Sequence, residues 1–113
     1  MSLFKFATQP TVIWPVTINA PLDDGRVRKI NIKAKFEIIP TDEQNAIYDS
    51  GGNDADLIRR VLKGWQGMPG SDDQPVEFSD TALEEALNTP FVRAAFVESY
   101  IGASVGRAAA RKN

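Results

Sequence analysis

The chain has 113 residues, 42% of them apolar and 25% charged, with a formal net charge of −2. That is enough for one packed core, and the proportions exclude wholesale disorder and fibrous repeats. With no cysteine and no histidine, the chain has no thiol chemistry, disulfides, Cys/His zinc sites or imidazole catalysis.

The first expected strand covers residues 12–18, where Val12, Trp14, Val16 and Ile18 fall at alternate positions and so share one face. Pro15 has no N–H to give a ladder, so this strand should lie at an edge or carry its proline on the unpaired side. The segment Pro21-Leu22-Asp23-Asp24-Gly25 predicts a hairpin, since its glycine accepts the positive φ of a tight turn. On the return strand Ile30, Ile32, Ala34, Phe36 and Ile38 alternate with Asn31, Lys33, Lys35 and Glu37, giving one core face and one wet face.

Pro40 ends that strand. Thr41-Asp42-Glu43-Gln44 has the form of a capping box and predicts a short helix to Asp49. After the break at Ser50-Gly51-Gly52-Asn53, Asn53 or Asp54 caps a second helix carrying Leu57, Ile58, Val61 and Leu62, with Gly64 closing it. Residues 66–76 contain Gly67, Pro69, Gly70, Asp72, Asp73 and Pro75 and read as an irregular loop. Ser79, after Phe78, is a candidate N-cap for a helix with Leu83 and Leu87 on its buried stripe. Thr89-Pro90 then opens the last and longest helix, which is expected to run toward Arg111. The expected fold is therefore α+β: an N-terminal antiparallel β-hairpin followed by about four α-helices. Residues 1–113 read as a single domain, with 107–113 a basic tail that frays.

No apolar run reaches the ~18 residues of a membrane span, and residues 1–6 lack the apolar stretch of a signal peptide, so a cytoplasmic location is expected. The acidic pairs Asp23-Asp24, Asp72-Asp73 and Glu84-Glu85 fall in a turn, a loop of turn formers and a solvated helix side. They read as structural, and no metal or other cofactor is expected. Gly64, Gly67 and Gly70 do not make a phosphate-binding loop. Ser79 and Ser99 have no histidine partner, so no catalytic residue is expected. Arg26, Arg28, Lys29, Lys33 and Lys35 crowd the second strand, with Arg107, Arg111 and Lys112 beyond it. A basic strand face can carry nucleic acid, but the net charge argues against this, and a solvated face whose lysines discourage edge-to-edge pairing is the preferred reading.

Trp65, within Gly64-Trp65-Gln66-Gly67, is expected to plug the core beside Leu62, Phe78 and Leu83. On the last helix, Phe91, Ala94, Ala95, Val97 and Ile101 suffice for packing. Val92, Phe96, Tyr100 and Val105 then widen the apolar stripe. Val92, Phe96, Tyr100, Ile101 and Val105 are therefore the candidate partner-binding residues. Three covers for them are open: the chain's own hairpin, a second copy in a homo-oligomer, or a helix of another protein.

The order Leu62-Lys63-Gly64-Trp65-Gln66-Gly67, an acidic Gly/Pro loop, Pro75-Val76-Glu77-Phe78-Ser79, then Thr89-Pro90-Phe91-Val92-Arg93-Ala94-Ala95-Phe96 to Tyr100 resembles the tail assembly chaperones of long-tailed bacteriophages and prophages. The likeness includes Trp14-Pro15-Val16 and Phe36, and so spans most of the chain; Gly64, Trp65, Gly67, Phe78, Ser79 and Pro90 are its structural motif. The resemblance implies a non-enzymatic protein, absent from the finished virion, that keeps the tape measure protein soluble during tail morphogenesis. It also implies a longer, frameshifted form that recruits the tail tube protein, the present chain being the short form. Arg111-Lys112-Asn113 is compatible with adenine-rich slippery codons. The alternatives are a small nucleic-acid-binding or regulatory module using the basic second strand, and a structural virion component.

Overall fold

A computed structural model describes residues 10–107. Strand β1 (Thr11–Pro21) and strand β2 (Val27–Glu37) pair antiparallel over their full lengths, from Thr11 opposite Glu37 to Pro21 opposite Val27. A single 3-10 turn over Asp23–Gly25 joins them, with Asp24 at φ 63° and Gly25 at φ 74°. The Asp-Gly pair thus supplies the left-handed backbone that the reversal needs. The alternation holds as expected: Val16, Ile18, Ile32, Ala34 and Phe36 are buried, while Thr17, Lys33 and Lys35 are exposed. Among the described residues β1 pairs only with β2, so Pro15 lies on an edge strand, where its missing donor interrupts no ladder on the outer side.

Helix α1 (Thr41–Asp49) and helix α2 (Asp54–Val61) follow. The capping box expected at Thr41 is absent: Pro40 is the N-cap, no side chain caps the helix, and Thr41 is already helical. Proline holds Pro40 at φ −62° with an extended ψ, and its carbonyl accepts the first helical N–H, from Gln44, so the helix starts one residue early. A capping box forms at α2 instead. Asn53 Oδ1 accepts from the Asp56 N–H at 3.2 Å, and Asp56 Oδ2 accepts from the Asn53 N–H at 3.0 Å.

The second correction concerns the end of α2. Rather than helix closed by Gly64, Leu62–Gln66 form strand β3, antiparallel to β2 in a sheet ordered β1-β2-β3. The apolar residues 57, 58, 61 and 62 fit a helix as far as they go. From Leu62 onward the same residues also fit a strand, with Leu62 and Trp65 inward and Lys63 and Gln66 outward. β2 would otherwise leave the N–H and C=O groups of its second edge unpaired, and satisfying them outweighs one more helical turn. Lys63 is the extra residue of a bulge, since Lys35 pairs with Gly64 while Phe36 pairs with Leu62.

The segment after β3 is also more ordered than expected: Pro69 bridges Pro75, and the Val76 N–H donates to Met68 O at 2.8 Å. Helix α3 (Asp80–Leu87) is capped by Ser79, whose Oγ accepts from the Ala82 N–H. Helix α4 (Pro90–Ser104) has Pro90 in its first turn. It stops well short of Arg111. The Arg107 N–H donates to Gly102 O at 2.9 Å and the Gly106 N–H to Ala103 O at 3.1 Å, with Gly106 at φ 71°, a Schellman ending that a glycine permits. Residues 108–113, most of the expected basic tail, lie outside the described residues. The fold class is as expected, α+β with the hairpin first and the longest helix last, enlarged by a third strand.

α4 lies mainly across β1 and also touches α2 and α3, covering the apolar face of the sheet. Its rings anchor it. Tyr100 meets Phe36 edge-on at 5.4 Å between centroids, and its hydroxyl accepts the buried N–H of Ile39 at 3.2 Å. Phe96 stacks on Trp65 at 5.9 Å. At the surface, Arg59 of α2 makes a two-pronged contact with Glu84 of α3 at 2.7 and 2.8 Å, which holds the Glu84 carboxyl below its ordinary value.

Two outcomes follow for stability. Tyr100→Phe keeps the ring but orphans the Ile39 N–H, and urea unfolding should read a loss of about 1–3 kcal/mol. Because the Glu84 pKa is lowered on folding, its contribution is present above the ordinary carboxylate value of 4.5 and fades as pH falls through the folded pKa. The urea midpoints of wild type and Glu84→Gln should therefore differ at neutral pH and converge in acid.

Candidate partner-binding surface

α4 has few polar side chains, so sequence periodicity leaves its inner and outer sides hard to tell apart. The structure separates them. Phe96 and Tyr100 are fully buried and Val92 is partly buried against the core. Phe96 and Tyr100 therefore belong to the packing that holds α4 on the sheet, and they are not open to a partner. Of the five candidate partner-binding residues, Ile101 and Val105 are exposed, at 41% and 64%.

Two residues assigned to packing take the opposite place: Phe91 is 36% exposed and Ala94 is exposed. Phe91, Ala94, Glu98, Ile101 and Val105 are spaced three, four, three and four residues apart along one flank of α4, with Val105 at its C-terminal cap. This is the repeat by which one helix lays a seam along another. The sequence signal that could have found this flank is Glu98, the one carboxylate of the helix, whose neighbours three, four and seven residues away share its side.

The structural motif residues are distributed over β3, the loop after it and the starts of α3 and α4. Trp65, on β3, is half-buried, meeting Phe78 edge-on at 4.9 Å with its indole N–H donated to Val76 O at 2.8 Å. It thus pins the loop after β3 onto the margin of the core, less buried than expected and with Phe96 as well as Phe78 against its ring. Gly64 lies in β3 opposite Lys35, and Gly67, at φ 86°, turns the chain away from β2 where β3 ends. Ser79 and Pro90 start helices and offer no reactive arrangement.

The acidic pairs take the places the sequence suggests. Asp23 and Asp24 form the hairpin turn, and Asp72 accepts the Gln74 N–H in a turn where Asp73 has φ 62°. Glu84 is bound by Arg59. No metal-holding group of three or more acids occurs among the described residues. A groove of about 770 Å³ between α2 and α3 is lined by Arg59, Glu84, Glu85 and Arg93. Arg59 is already committed to Asp56 and Glu84, so the groove offers hydrogen-bonding surface without an activated group.

The basic strand needs a correction. β2 is the central strand over Lys33–Phe36, where β3 covers its second edge, so Lys33 and Lys35 guard no edge there. They stand on the outer face of the sheet, away from α4. At the end of the strand, Arg60 and Lys63 hold Glu37, with Arg60 at 3.0 Å and Lys63 at 3.6 Å. The Arg60 guanidinium keeps the Glu37 carboxyl below its ordinary value. No helix among the described residues is long and apolar enough to cross a membrane. No protein-family model matches the chain, and no curated protein or solved structure matches it either.

Proposed function

We propose that this protein is a non-enzymatic tail assembly chaperone that binds the phage tape measure protein in the bacterial cytoplasm and keeps it soluble until the tail tube assembles around it. The observation that supports this most directly is the outer flank of α4, where Phe91, Ala94, Ile101 and Val105 leave an apolar row at seam spacing broken only by Glu98. A tape measure protein is a long helical chain with apolar stripes that self-associate when bare. A helix seam of matching period, carried on a rigid sheet, covers such a stripe without any reactive group. The resemblance carried by the motif running from Gly64 to Tyr100 suggests the same role. Recruitment of the tail tube protein belongs to a frameshifted longer form in the same reading.

The test uses exposed residues, so that loss of folding does not mimic loss of function. Ile101→Asp with Val105→Asp removes about 1 kcal/mol per side chain of available apolar contact and adds the cost of burying carboxylates. Circular dichroism and thermal melting should match wild type. In coexpression with the tape measure protein of the same genome, affinity should fall at least about a hundredfold and the tape measure protein should move to the insoluble fraction. Undiminished solubilisation by the folded double variant would overturn the proposed role of this flank.

A further inference from the structure

The outer face of the sheet carries a second surface, of different chemistry and on the opposite side from α4. Along β2, Lys33 and Lys35 project from this face, two residues apart and both exposed. Neither makes an ion pair among the described residues, although the chain has more acidic than basic residues. Beside them on β1, opposite Lys35, Ile13 is 59% exposed. On the other side of Lys35 stands Gly64 of β3. The missing side chain leaves a shallow depression of about 210 Å³ lined by Ile13, Lys33, Ala34, Lys35, Gly64, Trp65 and Gln66, with no carboxylate among them. Glu37, the nearest acid along β2, is occupied by Arg60 and Lys63.

We infer that this face docks an acidic protein segment that sets carboxylates against Lys33 and Lys35 and an apolar side chain against Ile13 in the depression over Gly64. The lysines, on alternate residues of one strand, stand about 7 Å apart. Alternate carboxylates of an extended segment repeat at the same distance. An exposed isoleucine on the strand beside two lysines that make no ion pair is matched by a ligand that combines charge with apolar area.

The same lysines would attract a phosphate backbone, and three observations favour protein. Trp65 lines the depression, but its ring is already engaged by Phe78 and Phe96, so it is not a free platform on which a base stacks. Ile13 would have no counterpart on a sugar-phosphate chain. The net charge of −2 repels a long polyanion at distances where a short segment feels mainly the two nearby lysines.

Fluorescence anisotropy with a labelled synthetic peptide alternating glutamate and threonine around a central leucine tests the assignment. The wild-type chain should bind it, more weakly as salt is raised. Lys33→Glu with Lys35→Glu should weaken binding at least about tenfold with unchanged circular dichroism, and Ile13→Ser should weaken it by a smaller factor. Reversing Arg26 and Arg28 instead places the change about 16 Å or more from Lys33 along the strand, beyond the Debye length of about 8 Å at physiological salt, and should leave binding nearly intact. Three results would overturn the inference: no binding by wild type, equal binding by the Lys33/Lys35 variant, or tighter binding of single-stranded oligothymidylate than of the peptide through these lysines. Self-association seen by sedimentation velocity and abolished in the same variant would assign the face to a second copy, and would overturn it too. None of these readouts involves the tape measure protein, so the inference fails or stands apart from the role proposed for α4.

Discussion

A sheet that is apolar on one face must be covered on that face, and here α4 does so together with the buried sides of α2 and α3. β1 and β2 run eleven residues each, about 36 Å. α4, at fifteen residues, spans about 22 Å and is the longest helix among the described residues. Its placement is fixed at points where an error would be costly. Tyr100 must reach the Ile39 N–H with its hydroxyl while its ring meets Phe36, and Phe96 must lie flat on Trp65. A slip of one residue along α4 would break both, because side chains one position apart point about 100° away from each other.

From that seating the rest of the arrangement follows. β3 supplies Trp65 as the floor for Phe96, and Trp65 in turn ties down the loop after it through Val76. α2 delivers the chain into β3 and contributes Leu57, Ile58 and Val61, all fully buried. Its two arginines point in different directions: Arg59 reaches α3 through Glu84, and Arg60 reaches Glu37 on β2 and Glu43 on α1. These pairs lie at the surface and contribute less than the apolar contacts, but each joins two elements that the core alone would leave free to rotate.

How legible this was in the sequence depended on whether local signals had competitors. The hairpin was legible because its two-residue period and the Asp-Gly turn agree, and Ser79 and Asn53 were legible as caps because each precedes a clear apolar stripe. β3 was not, since five residues after a helix fit either structure, and what decides is the open edge of β2, a partner thirty residues away in sequence. The Thr41 box failed because Pro40 had already set the backbone for the first turn. On α4 the apolar residues were legible but their sides were not: rings at Phe91, Phe96 and Tyr100 surround the helix, and only contact with Phe36 and Trp65 shows which of them are inward.

A helix apolar on every side is ordinarily one that is buried on every side, and α4 is buried on one. Its inner side has the sheet. The outer row has no cover among the described residues, although Phe91, Ile101 and Val105 each keep more than a third of their surface open. Isolated exposed apolar residues are unremarkable on a protein surface, but a row in seam register is a different matter, because its members can be covered together by one partner helix. The rigid seating by Phe96 and Tyr100 matters to that outer row as well. A flank held in one orientation loses little conformational entropy on binding, so most of the contact energy is kept as affinity. The same sheet that anchors α4 from within turns Lys33, Lys35 and Ile13 to the opposite side, so the two proposed surfaces share no residue and do not compete.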